Sequence, residues 1–245
     1  MMKPVFILRW SVCAVLCGAA LAPAMAAPRL ERAVAINLVG ESEYVERDKS
    51  DWRGTKKGLT IWEGASLRTA TNSIIDFAIS TKGTFRVTQK TIVRVEQMRQ
   101  EFKGLPSKDK EPSTLTSLDL ERGKVSVRAA LQTTNSEFAV TTRTCLIESR
   151  GYGAFSVWLI NDRACVRAIE RTAVINIRGK ADPIVLQAGQ QLCVTCDPRT
   201  NEATDMKITT PPDPDPDPPI DPPPPPTPPP PDPPPPPYEI SPTQP

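Results

Sequence analysis

Apolar residues recur at every second position in many short runs of this chain. Ile75, Phe77 and Ile79 fall in phase, as do Phe85 and Val87, Val93 and Val95, and Val125 and Val127. Phe138 with Val140, Phe155 with Val157 and Leu159, and Ile175 with Ile177 continue the pattern. Such alternation puts one face of each strand in a core and the other in water. Turn residues separate the runs: Gly54, Gly64, Gly83, Gly123, Gly151, Asn161-Asp162, Gly179 and Gly189. No stretch carries a convincing helical stripe. The pattern predicts an all-β fold of short antiparallel strands, a sandwich or short β-solenoid. Residues 103–114 form the one long polar interruption and are expected as an exposed loop.

Composition divides the 245 residues into three parts. Residues 1–26 begin with Lys3 and Arg9, continue through an apolar core from Val12 to Ala22, and end on Ala24-Met25-Ala26. Basic start, apolar middle and small residues at a cleavage site are the pattern of a secretory signal peptide. A retained anchor is the competing reading. It fits less well, because the uncharged run is broken by Pro23 and falls short of the ~20 apolar residues that a spanning helix needs. Residues 33–200 make one β domain. Residues 208–245 are an acidic tail, and 22 of the chain's 29 prolines lie after position 210. Proline removes donors and fixes φ, so no sheet forms there, and an extended polyproline II segment is expected. That segment reads either as a spacer or groove ligand, or as a disordered extension that aids solubility.

Charge is unevenly placed. The tail after Lys207 holds six acids and no base, and the leader holds two bases, so the body carries +6 of a net +2. A basic body favours anionic partners such as phosphates, acidic glycans or its own tail. Its bases are scattered and not interleaved with aromatics, which argues against nucleic acid. There is no histidine, so Ser-His-Asp and Cys-His chemistry and His-ligated metals are excluded. The carboxylates Asp76, Glu96, Asp119, Glu121, Glu137 and Glu148 sit on strand positions, and their spacing singles out no pair. Solvated, outward positions are expected for them. Gly151-Tyr152-Gly153 lacks the third glycine and the helix of a phosphate cradle.

After cleavage four cysteines remain: Cys145, Cys165, Cys193 and Cys196. An even number in an exported chain argues for disulfides. Three pairings are possible, and the expected one joins Cys145 to Cys165 and Cys193 to Cys196. Cys193-Val194-Thr195-Cys196 also has the spacing of a redox pair, but such a pair draws its low thiol pKa from a helix N-terminus. Asp197-Pro198-Arg199 does not start one. Zinc is disfavoured because only one C-x-x-C knuckle is present.

Five segments recur in order: Leu59-Thr60-Ile61-Trp62-Glu63-Gly64-Ala65-Ser66-Leu67-Arg68-Thr69 followed by Ser73-Ile74-Ile75-Asp76-Phe77, Leu118-Asp119-Leu120-Glu121-Arg122-Gly123-Lys124-Val125-Ser126-Val127, Phe138-Ala139-Val140-Thr141-Thr142, Ser149-Arg150-Gly151 with Phe155-Ser156-Val157, and Leu186-Gln187-Ala188-Gly189-Gln190. On these segments residues 36 to about 195 resemble the FecR domain family. Tyr152-Gly153-Ala154 departs from the family, which has a single Thr after the glycine. The resemblance implies a periplasmic all-β domain with no catalytic residue. Family signal transducers carry an anti-sigma segment and a membrane helix before this domain, and here a signal peptide is expected instead.

These readings combine into one expectation: a non-catalytic binding or scaffold module of the bacterial cell envelope, periplasmic or secreted. Its partner would be a protein or the cell wall, and no cofactor, metal or nucleic acid is expected. A thiol-disulfide oxidoreductase using Cys193 and Cys196, or a regulatory partner of a membrane signal transducer, are the alternatives.

Overall fold

Seventeen strands and no helix make up the described part of the computed structural model. The structure describes residues 29–79, 83–101, 113–129, 136–143, 147–197 and 199–211. The expected signal peptide, Cys145, nearly all of the polar loop 103–114 and the tail from 212 onward lie outside the described residues.

The strands are β1 (Arg29–Leu30), β2 (Ala33–Val39), β3 (Ser42–Val45), β4 (Arg53–Gly54), β5 (Thr60–Ile61), β6 (Ser66–Thr69), β7 (Ile74–Ile79), β8 (Thr84–Val87) and β9 (Ile92–Glu101). They continue as β10 (Ser113–Ala129), β11 (Glu137–Thr142), β12 (Ile147–Ile160), β13 (Arg163–Ala168), β14 (Thr172–Ile177), β15 (Ile184–Leu186), β16 (Gln191–Cys196) and β17 (Ala203–Thr209). Each run of alternating apolar residues in the sequence lies within one of them. No helix long and apolar enough to cross a membrane occurs among the described residues.

Two sheets result. The first runs β4–β3–β6–β9–β10–β11–β12–β14–β15, with β1 on β9. The second runs β5–β2–β7–β8–β10–β12–β13–β16–β17. All pairings are antiparallel except β10 with β11, which is parallel. The long strands β10 and β12 belong to both sheets, and the pairings close on themselves.

Two glycines make that sharing possible. β10 pairs with β9 up to Arg122 and with β12 from Gly123 onward. β12 pairs with β14 up to Tyr152, and its pairing with β10 starts at Gly153. Gly123 has φ +88° and Gly153 has φ +110°. L side chains rarely adopt such a backbone. Space forbids a side chain as well: a Cβ on Gly123 would fall 2.5 Å from the Thr91 Cα, and one on Gly153 would fall 2.6 Å from the Glu170 carbonyl oxygen. The expectation of turns at Gly123 and Gly151 is corrected here. Both lie inside strands, because the chain bends from one sheet to the other without reversing. The bend also shifts the phase of the core positions, from Leu118 and Leu120 to Val125 and Val127.

The core lies between the sheets. Phe77 and Phe85, cross-strand neighbours in the second sheet, stack at 4.9 Å, and Phe138 of the first sheet meets Phe85 edge-on at 6.3 Å. All three are buried, and each such side chain stabilises the fold by roughly 1.5–3 kcal/mol. The last strand, β17, lacks the alternation that marks the others and is exposed along most of its length.

Candidate functional site

The outer face of the second sheet carries a row of polar side chains set by strand register. One level reads Asn37, Asp76, Arg86, Ser126, Ser156, Arg167, Gln191 and Thr209, each opposite the next across a strand pair. The adjacent level reads Lys124, Trp158, Cys165, Cys193 and Lys207.

At the β7–β8 end the row is buried. Asp76 is 4% exposed and Arg86 5%. The guanidinium donates twice to the carboxylate, Nε to Oδ1 at 2.6 Å and Nη2 to Oδ2 at 2.9 Å, and Asn37 Nδ2 adds a third bond at 3.1 Å. The expectation that Asp76 is solvated is therefore wrong. Register sets it opposite Arg86, and a bidentate pair holds both charges below the surface. Ser126 and Ser156 share a hydrogen bond at 2.9 Å next along the row.

At the β12–β13 end the same face opens into a cavity of about 400 Å³. Among the described residues Lys124, Trp158, Ile160, Arg167, Gln89 and Gln191 line it, two of them cations and none a carboxylate. Lys124 Nζ sits 5.7 Å from the Trp158 ring centroid, a cation–π distance. Ile160 is 60% exposed at the rim. A cationic wall, a half-buried indole and two amides suit an anionic ligand that offers a flat or ring-shaped apolar face.

A second cavity of about 680 Å³ lies on the other sheet, by Glu41, Glu43, Arg68 and Arg122. There Arg68 is engaged by a carboxylate and a ring. Arg68 Nε donates to Glu43 at 2.5 Å and its guanidinium lies 4.3 Å from the Trp52 ring centroid. Glu63 is similarly engaged: Arg99 donates to it twice at 2.7 Å, and that bonding holds its carboxyl below the usual range.

The other sequence-flagged carboxylates are also accounted for. Glu137 and Glu148 come together across β11 and β12, but on one guanidinium, Arg150, at 3.1 and 2.9 Å. Asp119 accepts from Arg143 at 3.1 Å, Glu96 pairs with Arg94 at 3.3 Å, and Glu121 is exposed. Among the described residues no three His, Cys, Asp or Glu side chains are grouped as metal ligands.

The cysteines differ from the expected pairing. Cys165 is bonded to Cys193, not to Cys145, and Cys196 is disulfide-bonded as well. Cys165 and Cys193 are direct cross-strand partners on β13 and β16, with Cα atoms 4.1 Å apart. Residues three apart on an extended strand point to opposite faces, so Cys193 and Cys196 do not close on each other. The C-x-x-C redox pair does not form. Sequence reasoning missed the Trp158 cavity too, because its walls come from strands that meet only through register.

No family model and no curated protein matches the chain. Among solved structures it is similar to two crystal structures described as a "putative anti-sigma factor" from Parabacteroides distasonis. The first shares 12% identity at a TM-score of 0.42, over 59% of each chain. The second shares 10% at 0.33, over 69% of this chain and 60% of that one. Fold and site define an all-β protein with a cationic, aromatic cavity on one sheet face, and its function is argued from those residues.

Proposed function

We propose that the protein is a non-catalytic binding or scaffold module of the bacterial cell envelope, of FecR-like type, acting outside the cytoplasm. The observation that carries this reading is the Trp158 cavity, whose lining offers cations, amides and an indole. These groups bind and orient an anionic partner and supply no nucleophile–base pair. Three features support the location: the signal-peptide pattern, the resemblance of the strand motifs, and the disulfides at Cys165, Cys193 and Cys196, which persist in oxidising compartments. The partner chemistry is that of an anionic cell-wall or envelope component.

Co-sedimentation of the full chain with isolated envelope fractions tests this. The expected result is binding to at least one fraction that weakens as salt screens the cations and is lost in Trp158→Ala and Lys124→Ala. Full recovery of the unsubstituted protein in the supernatant with every fraction overturns the proposal.

A further inference from the structure

The second sheet ends on an open edge. β17 pairs with β16 along one side, and among the described residues no strand pairs with its other side. Such an edge presents a row of N–H and C=O groups that accepts another strand, and chains guard it with prolines, bulges or repelling charges. β17 holds no proline. Its one register shift, against Thr195 and Cys196, lies at its start. Its two charged residues, Asp205 and Lys207, are of opposite sign.

Register fixes which way these side chains face. Met206 lies opposite Val194 and Ile208 opposite Leu192, and both of those are core residues. Met206 and Ile208 thus continue two core rows beyond the core, where they are 40% and 53% exposed. Asp205 and Lys207 fall on the other face, opposite Thr195 and Cys193, and both are exposed.

We infer that β17 pairs antiparallel with β17 of a second copy, about a two-fold axis at Met206. Directly opposed residues of an antiparallel pair share a face, so the registers open to two copies are those that keep outer side chains opposite outer ones. With the axis at Asp205, the two Asp205 carboxylates stand opposite each other. With the axis at Lys207, two ammonium groups do. With the axis at Met206, each Asp205 stands opposite a Lys207, while Met206 meets Met206 and Thr204 meets Ile208 on the core-facing side. Opposite charges across a strand pair stabilise it and like charges destabilise it, so the edge is complementary to itself in this register. That complementarity argues for a second copy as the occupant, since a two-fold contact is one patch meeting itself. A contact of about five residues a side is small, which makes the dimer a reversible one. The axis stands perpendicular to the sheet, so the second sheet continues from one copy into the other and both Trp158 cavities lie on one face. Any use of the paired cavities rests on the binding role proposed above; the pairing itself does not.

Sedimentation velocity of the full chain over a rising concentration series tests the inference. The expected result is a 26.8 kDa species that gives way to one of twice that mass. Asp205→Lys alone and Lys207→Asp alone should each stay monomeric, because each sets like charges opposite one another in this register. A mixture of these two variants in equal amounts should dimerise again, since the lysines of one then face the aspartates of the other; misfolded chains would not recover on mixing. The double variant Asp205→Lys/Lys207→Asp should dimerise as the unsubstituted protein does. An unsubstituted chain that stays monomeric throughout overturns the inference, as does a dimer that survives either single substitution or a mixture that stays monomeric. Association is read here without any envelope component, so the two proposals fail separately. A dimer that binds no envelope fraction removes only the function proposed above, and a monomer that binds one removes only the pairing.

Discussion

Two places on the second sheet's outer face each carry an arginine, one buried and one lining a cavity. At β7–β8, Arg86 faces Asp76 and both charges are buried in a bidentate pair. At β12–β13, Arg167 faces Ser156 and Gln191, Lys124 faces Trp158, and the face opens into a cavity. The presence of an arginine does not distinguish the two places. The cross-strand neighbour differs: Arg86 stands opposite a carboxylate and is buried with it, while Arg167 stands opposite Ser156 and Gln191 and lines the cavity. Glu63 with Arg99 on the first sheet is intermediate, its carboxylate largely buried and its guanidinium partly solvated.

The largest effect is expected where the pair is buried. Asp76→Ala leaves the Arg86 guanidinium without its carboxylate and should destabilise by about 3–5 kcal/mol in urea unfolding. Adding Arg86→Met should recover part of that loss, because the uncompensated charge is removed. Additive losses would mean that the two groups do not act as one unit, and the contrast between the ends would collapse.

The disulfide beside the open end comes next. Its cysteines are 28 residues apart, and in the chain-entropy estimate closing that loop stabilises by about 3.5 kcal/mol. Cys165→Ser/Cys193→Ser should therefore lower the urea midpoint while the bidentate pair at the far end of the face stays formed. An unchanged midpoint would show that strand register alone holds β13 against β16.

The smallest effect belongs to the intermediate pair. Bonding to Arg99 lowers the Glu63 pKa, so its contribution is fully present above the ordinary carboxylate range. It disappears as pH falls through the lowered value. Glu63→Gln should be less stable than the unsubstituted protein at neutral pH, by ~0.5–1 kcal/mol for a pair with one partly solvated partner. The two proteins should converge in acid. A difference independent of pH would place the effect in packing and not in charge.

The strands were legible because a half-buried strand must alternate, and Ile75, Phe77 and Ile79 or Phe155, Val157 and Leu159 do so. Gly123 and Gly151 were legible as special positions but not as the right kind. A local pattern cannot tell a chain that reverses from one that bends between sheets, and Gly153, the second bend, stood out only as a departure in the motif. The pairing of Cys165 with Cys193 and the burial of Asp76 were out of reach, since each depends on a partner from another strand. β17 was hidden because an exposed strand has no apolar face to alternate.

By itself the sequence determined the all-β class, the approximate strand positions, the proline-rich and acidic composition after Lys207 and the absence of histidine. These follow from composition and from short-range periodicity, which each segment carries within itself. Tertiary structure alone decided which cysteines join, which charges are buried, where β10 and β12 change sheets, and that Lys124, Trp158, Arg167 and Gln191 share one cavity. Those facts are set by register between strands far apart in the chain, and a shift of one residue would send every side chain to the opposite face.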